Sequence, residues 1–561
     1  MIKSFRLALI ILVTCISFSI QAQEVLPENN HKFIVVRQIM EKIKWAIGDS
    51  RQLPQIEIRP GKSENAAILI PNPNPRLILD EKVYDLCRSF GSDSLNALAS
   101  IIGHELAHFY RDHKAIIGLI GHSEAENLDN SNRSSQQNQR IYLEAEADYF
   151  GTFYAFQAGF NSFKTLPKIL SLIYNEYQLP NKLSNYPSKQ ERINIAVARS
   201  REMEKFAPVF EVGRFLYTKK YYKEAEACFE YVTSHISSKE AFNNLGVAKL
   251  TRVSTLTSQD ETHFAYPFEI DVANRLSSNT RGGSTLQEEA LKKRLLQEAE
   301  LNFEKAISFD RYYWRAYINL AITQIFLKNF NAAIGEIDKL RQRAASKGTP
   351  VHADAFLVRG IALVKAGRMD EARQDFLRAR EGDAFRIDYN FSLFKKLNNS
   401  WLDDFGEWEV EWTKVERWIK SFFKKETQVQ FKKENYFKEN INSIKTIEDK
   451  DVDKLITING TKAPVSIHFK FDLSINTYLI KFDYHSMRLL QTHTTEGNIT
   501  TSKGLKVGDD QVAVRKKYGS PGKIIPIAKE GFMYVYEKQH IHFWIIKEKV
   551  AKWEVYEINR L

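Results

Sequence analysis

Four small residues recur down the middle of the chain, and they restrict its fold more than any other feature. Gly213, Gly246, Ala321 and Gly360 hold equivalent places in Glu211-Val212-Gly213, Asn244-Leu245-Gly246, Asn319-Leu320-Ala321 and Val358-Arg359-Gly360, at intervals of 33, 75 and 39 residues. Amphipathic stretches follow three of them, at 222–229, 299–306 and 370–376. A period near about 34 residues with small residues at fixed places dictates pairs of helices that approach closely and stack. One pair cannot bury its own apolar faces, so the stack supplies the core. The long middle interval predicts a polar insertion near residues 251–288. An all-α solenoid over residues 207–400 is therefore expected.

At 561 residues the chain has room for about three domains. With 43% apolar and 27% charged residues it is not of disordered, collagenous or multi-span membrane type. The net charge of +11 is spread along the sequence without a basic run, so nothing points to nucleic acid. Residues 1–22 carry Lys3 and Arg6, an apolar run of 14 residues and then Gln21-Ala22-Gln23. This pattern reads as a cleaved signal peptide, because the run is shorter than the ~20 residues a membrane-crossing helix needs. The expected location is outside the cytoplasm, periplasmic first, with a secreted or lipid-anchored form (through Cys15) as lesser readings. Cys87 and Cys228 then remain in different domains, so no disulfide framework is expected. No span is expected in the mature chain, although membrane-surface association stays open.

Between the signal peptide and the repeats, residues 23–206 mix short strands, at 55–59 and 66–70, with helices. Leu95, Leu98, Ile102, Leu106 and Phe109 form one stripe of a helix capped near Ser92 or Asp93. That helix carries His104-Glu105-Leu106-Ala107-His108. Spacing of i and i+4 puts both imidazoles on one face, within reach of one Zn²⁺, with Glu105 beside them. The stripe faces away from the histidines, so one side is expected to be buried and the other free. Glu144 and Asp148 share a face of a second helix; Glu144 can complete a His₂Glu set, and Asp148 can orient a ligand histidine through its other ring nitrogen. The competing reading of that acidic pair is a solvated helix face. His113 and His122 read as surface residues or as outer supports of the histidines.

The pairing of H-E-x-x-H with E-x-x-A-D resembles family 48 of the zinc metallopeptidases, the group of CaaX prenyl proteases and HtpX-like enzymes. The order of signal peptide, peptidase domain and repeats is most similar to its soluble, BepA-like periplasmic form, and the central segment resembles tetratricopeptide repeats. The resemblance implies a mostly helical α+β gluzincin domain with His104, His108 and Glu144 as ligands of one zinc ion. It also implies Glu105 as catalytic base and Asp148 as support. Where the family has His-Pro ahead of Arg-Ile, this chain has Tyr186-Pro187 ahead of Arg192-Ile193. A tyrosine hydroxyl can donate to an oxyanion as the histidine would, or the ring can simply pack; both readings stay open.

Residues 401–561 read as a C-terminal α+β domain. A Lys- and aromatic-rich helical stretch with Trp401, Trp408, Trp412 and Trp418 leads into alternating strands near 532–536, 541–545 and 550–558. Together with Gly504–Asp509 and Tyr518-Gly519-Ser520-Pro521 these resemble small modules of the β-lactamase-inhibitor-protein-like or SmpA-like type. His540 and His542 are expected on an exposed strand face. The expected activity is hydrolysis of peptide bonds in envelope or misfolded proteins, with protein partners engaged by the repeats and extended substrate aligned on an edge strand at 66–70. The alternative is a repeat-based chaperone or scaffold whose peptidase domain is inactive.

Overall fold

The computed structural model describes residues 25–47, 51–63, 66–70, 74–111, 113, 133–178, 188–257, 264–270, 274–275, 286–382, 384, 386–397, 454–458, 465–471, 475–483, 485–492, 499–528 and 531–560. The signal peptide, Cys15, His122, Tyr186 and the Trp401–Trp418 stretch lie outside these residues. The chain divides into two compact units, Met1–Lys44 with Gln52–Met203, and Trp45–Arg51 with Glu204–Leu561. The division after Met203 falls three residues before the boundary read from the sequence, whereas the repeats and the C-terminal sheet share one unit.

The first unit holds helix α1 (His31–Ile47, to Lys44) and strands β1 (Gln55–Arg59), β2 (Ala67–Ile70) and β3 (Arg76–Asp80). Helices α2 (Glu81–Arg88), α3 (Ser94–Tyr110), α4 (Arg133–Gln157) and α5 (Leu166–Glu176) follow, with the first half of α6 (Lys189–Thr218). The small sheet runs β1-β3-β2, with β1 parallel and β2 antiparallel to β3. Its central strand, β3, went unread in the sequence because the prolines at 71, 73 and 75 obscured it. The edge strand β2 packs on α3.

The second unit continues α6 through α7 (Tyr222–Thr233), α8 (Lys239–Leu256), β4 (Glu269–Ile270), β5 (Asn274–Arg275) and α9 (Leu286–Phe309). Then come α10 (Trp314–Phe326), α11 (Phe330–Ser346), α12 (Ala353–Lys365), α13 (Met369–Glu381) and α14 (Ile387–Leu397). Consecutive helices pack as pairs and each pair on the next. The reason for the small residues is now physical. A Cβ on Gly213 would lie 3.0 Å from the Phe229 ring, one on Gly246 2.6 Å from Phe303, and one on Gly360 3.3 Å from Phe376. In three of the pairs an aromatic ring of the second helix is seated on the bare backbone of the first. The insertion differs from expectation in two ways: α8 runs on to Leu256, and residues 264–268, far from being polar surface, bury Phe264, Tyr266 and Phe268.

The rest of this unit is an eight-stranded sheet of β6 (Lys454–Ile458), β7 (Val465–Phe471), β8 (Ile475–Phe482), β9 (His485–Thr492), β10 (Lys523–Ala528), β11 (Gly531–Tyr536), β12 (Ile541–Ile546) and β13 (Lys549–Arg560). The order is β10-β11-β12-β13-β9-β8-β7-β6, and every pairing is antiparallel. Helix α15 (Gln511–Tyr518) is capped by Asp510, whose carboxylate accepts from Val512 and Ala513 N–H. Val514 and Tyr518 of α15 join Tyr534, Phe543 and Trp553 in the core on one face of the sheet.

The opposite face is covered by the repeats. Phe215 packs on Tyr556 and Tyr221 on Phe482. The expectation of an exposed face at His540 and His542 is therefore wrong. His542 is fully buried, hydrogen-bonded through Nδ1 to Glu554 (2.8 Å) and through Nε2 to Lys219 Nζ (2.8 Å). His540 precedes β12 and stacks on Tyr556. Arg214 bonds to Glu211 (2.8 Å) in the same layer, 3.8 Å from Glu554, and Lys552 lies 3.7 Å from Glu211. Cys87 and Cys228 are both buried free thiols.

Candidate metal centre

The site begins with two helices that touch backbone to backbone. A Cβ on Gly103 of α3 would fall 2.5 Å from Gly151 O, and one on Gly151 of α4 would fall 2.6 Å from His104 N. Only a glycine pair permits this approach, and it sets His104 against the acidic face of α4. Helix α3 has Asp93 at its start, yet the Asp93 carboxylate caps no backbone amide; it accepts from the Asn96 side chain instead (2.9 Å). The helix is buried on all sides, every residue except Leu95, so the free face expected for the histidines is absent. Buried polar groups must then be satisfied locally, and the site shows how.

His104, His108 and Glu144 present ligand atoms within 4.8 Å of one another and form the one such group among the described residues. His104 Nε2 lies 3.2 Å from His108 Nε2 and 3.5 Å from Glu144 Oε2, while His108 Nε2 lies 3.6 Å from Glu144 Oε1. Ligands 2.0–2.1 Å from a tetrahedral zinc ion stand about 3.3 Å apart, so the spacing suits such an ion. Two further observations support the fit. Glu144 Oε1 has no hydrogen-bond partner among the described residues, although its other oxygen accepts from Arg192 Nη2 (3.0 Å). Neither oxygen of Glu105 makes a well-formed hydrogen bond, although the Leu69 amide of β2 favours its anion. Buried carboxylate oxygens with nothing to accept from are costly unless a cation or water meets them.

The outer nitrogens of both histidines are held. His104 Nδ1 bonds to Asp148 Oδ1 (2.9 Å), and Asp148 is gripped by both terminal nitrogens of Arg192. His108 Nδ1 bonds to His113 Nδ1 (2.7 Å), whose Nε2 faces Glu146 Oε2 at 3.4 Å; Glu146 in turn accepts from Arg111 Nε (2.9 Å). With His113 turned to Glu146 by its Nε2–H, its Nδ1 is left to accept from His108, which directs the His108 Nε2 lone pair inward. Of the readings offered for His113, the surface one is wrong, because the residue is buried. So is the solvated-face reading of Glu144 and Asp148, both fully buried.

Electrostatics follow from this packing. Burial pulls the His104 imidazolium down, but the bonds and charges of Asp148 and Glu144 outweigh it and push its pKa up to about 9. The proton it carries faces His108 Nε2 and Glu144, where a bound cation would lie. Burial drives His108 well below its ordinary value. Burial raises the Glu105 carboxyl to about 8 against the opposing charge of His104. For Glu144 burial is also the largest influence, yet His104 and Arg192 together hold the carboxyl down to about 2. Burial likewise acts to raise Glu146, but His113 and Arg111 hold it down to about 2.

Sequence reading did not assign Arg192, Glu146 or the Gly103–Gly151 contact. Arg192 stood in the Arg-Ile pair already noted but without its role, whereas the reading of His113 as an outer support of the histidines agrees with its bond to His108. Tyr174 on α5 is buried with no hydrogen-bond partner for its hydroxyl among the described residues, and it feels the charges of Arg192 and Glu144.

No family model matches the sequence. Among curated proteins nothing matches either. Solved structures with some likeness include YrrB, a tetratricopeptide protein described as having an unusual peptide-binding site (14% identity, 41% of this chain and 89% of that one, TM-score 0.23). Another is a thermophilic tetratricopeptide protein of Thermus thermophilus (10% identity, 47% and 98%, TM-score 0.23), and a third is a tetratricopeptide repeat protein of Parabacteroides merdae (12% identity, 48% and 98%, TM-score 0.18). TM-scores this low carry no argument, and the description of the repeats rests on the helix pairs themselves.

Proposed function

We propose that the chain is an exported, zinc-dependent metalloendopeptidase of the family 48 type, whose helical repeats recruit protein substrates or partners. The observation that carries the reading is the buried His104–His108–Glu144 triangle with the Glu105 carboxylate, which makes no well-formed hydrogen bond, beside it. When bound, zinc would lower the pKa of a coordinated water towards about 7 and polarise the scissile carbonyl. Glu105 takes the proton of the attacking water and passes it to the leaving amine. Asp148, fixed by Arg192, holds His104; His113, fixed by Glu146, holds His108. Strand β2 stands at the edge of its sheet, and its Leu69 amide reaches Glu105, so an extended substrate adding to β2 would run past the site. No described helix is long and apolar enough to cross a membrane.

A specific observation favours a second reading, that of a repeat-based scaffold with a closed peptidase domain. His104, Glu105, His108 and Glu144 are all buried, so in this state no substrate reaches them from solvent. Zinc content and casein cleavage by the 23–561 protein, beside Glu105→Gln and Glu144→Ala, decide between the two. One equivalent of zinc lost in Glu144→Ala, with cleavage abolished in Glu105→Gln, is the result expected of the peptidase. Bound zinc without cleavage by any form favours the scaffold.

A further inference from the structure

The insertion between α8 and α9 breaks the period of the repeats, and part of it is laid across them. Residues 264–268 have no regular secondary structure, and all three of their aromatic side chains are buried: Phe264 5%, Tyr266 6% and Phe268 2% exposed. They stand at i, i+2 and i+4, the spacing that puts side chains on one side of an extended chain. Phe264 stacks on Phe376 of α13, which also stacks on Phe394 of α14; Tyr266 meets Phe326 of α10. Strand β4, continuing the segment, packs on α8 and α10.

Glu269 and Ile270 pair with β5, and ahead of them one side chain among the described residues holds the backbone. Asn390 of α14, fully buried, accepts from the Ala265 N–H at Oδ1 (2.8 Å) and donates from Nδ2 to the Ala265 carbonyl (2.9 Å). A side-chain amide that pairs with both main-chain groups of one residue imitates a neighbouring strand and ignores that residue's own side chain. Pro267, also buried, brings no N–H that would need a partner. Three of the helix pairs have a packing contact of their own that the segment does not supply, Phe229, Phe303 and Phe376 being seated on Gly213, Gly246 and Gly360.

We propose that the face formed by α8, α10, α13 and α14 is a binding site for an extended polypeptide with aromatic side chains at alternate positions, and that residues 264–270 are its built-in, displaceable occupant. The inference deepens the recruiting role proposed for the repeats and rests on that reading, but not on the peptidase. An exchanging partner would offer the same three rings and one free backbone amide for Asn390. Because the resident segment is tethered, its effective concentration is on the order of millimolar, and a weak external peptide competes poorly until the resident one is released.

The test measures fluorescence anisotropy of a labelled heptapeptide with the sequence of residues 264–270, added to the 23–561 protein without zinc. Two variants release the resident segment while sparing the site: the triple substitution Phe264→Ser, Tyr266→Ser, Phe268→Ser, and Ala265→Pro, which removes the N–H that Asn390 accepts and fixes the backbone there. Either is expected to bind the peptide at least about tenfold more tightly than the wild type. A peptide with proline at the Ala265 position, or Asn390→Ala added to Ala265→Pro, should abolish the gain. The proposal is overturned by equally weak binding in wild type and both variants, or by a gain indifferent to that proline and to Asn390. It is also overturned if circular dichroism shows both variants unfolded, which would make the segment an integral part of the solenoid. Absence of zinc or of proteolysis would count against the peptidase and leave these outcomes intact.

Discussion

Gly151→Ala is the smallest change that separates the two ligand helices. The added Cβ would lie 2.6 Å from His104 N, 2.7 Å from Gly103 C and 2.7 Å from His104 Cα, all backbone atoms that cannot rotate away. Carbon atoms rest at about 3.5–4.0 Å, so α3 and α4 must part by about 1 Å. Metal–ligand distances tolerate about 0.2 Å, and the gap opens between His104 on one helix and Glu144 on the other. Overpacking of this kind costs about 1–3 kcal/mol, or roughly 2–12 °C in melting temperature for a unit of this size. Zinc affinity should fall by at least about 100-fold, since loss of an outer support alone costs 10–100-fold. Thermal unfolding with and without zinc, and competitive zinc titration against a chromophoric chelator, read the two effects separately. The control is Gly335→Ala in α11, where a Cβ meets nothing within 4 Å; it should stabilise by up to about 1 kcal/mol. A Gly151→Ala protein with wild-type melting and zinc binding would refute the backbone contact, and unchanged melting would do so even if the wild type took up no zinc.

Arg192→Ala leaves Glu144 and Asp148 buried without their cation and should destabilise the protein by about 3–5 kcal/mol in chemical denaturation; Arg192→Lys, lacking the fork that spans both carboxylates, should rescue only in part. His113→Ala should lower zinc affinity about 10–100-fold, with a changed d–d spectrum for cobalt in place of zinc, and cost the metal-free protein about 1–3 kcal/mol because the His108 Nδ1–H is left buried and unpaired. In the sheet layer, burial and the Lys219 charge drive His542 down to about 4, despite its bond to Glu554. The sign follows: the unfolded chain binds this proton below about 6.5 and the folded chain only below about 4. Stability from His542 is thus complete above pH 6.5 and lost as pH falls to 4, by up to about 3 kcal/mol. Urea unfolding across that window should show the slope in the wild type and a shallower one in His542→Gln.

How far the sequence could be read depended on which side of each element was covered, and by what. Periodicity located α3, the repeats and β11 to β13, because each has a strong apolar face. It failed at β3, where clustered prolines hid a central strand. It also failed where alternating polar residues were taken as a solvent face. In β12 the core side, Ile541, Phe543 and Ile545, packs towards α15, while His542 and Trp544 are buried too. The polar side chains there answer to Glu211 and Arg214 of α6 and to Lys219 in the turn that follows it, more than 300 positions earlier in the chain. Helix α3 misled in the same way: its histidines do not face solvent but Glu144 and Asp148 of α4. In both places a buried ionisable residue looked, from its own segment, like a surface one, because its compensating charge lies on another element. Spacing within one element can reveal a ligand pair such as His104 and His108. The groups that make such a pair affordable to bury, here Arg192, Glu146 and the glycines at the helix crossing, become visible only when the elements are brought together.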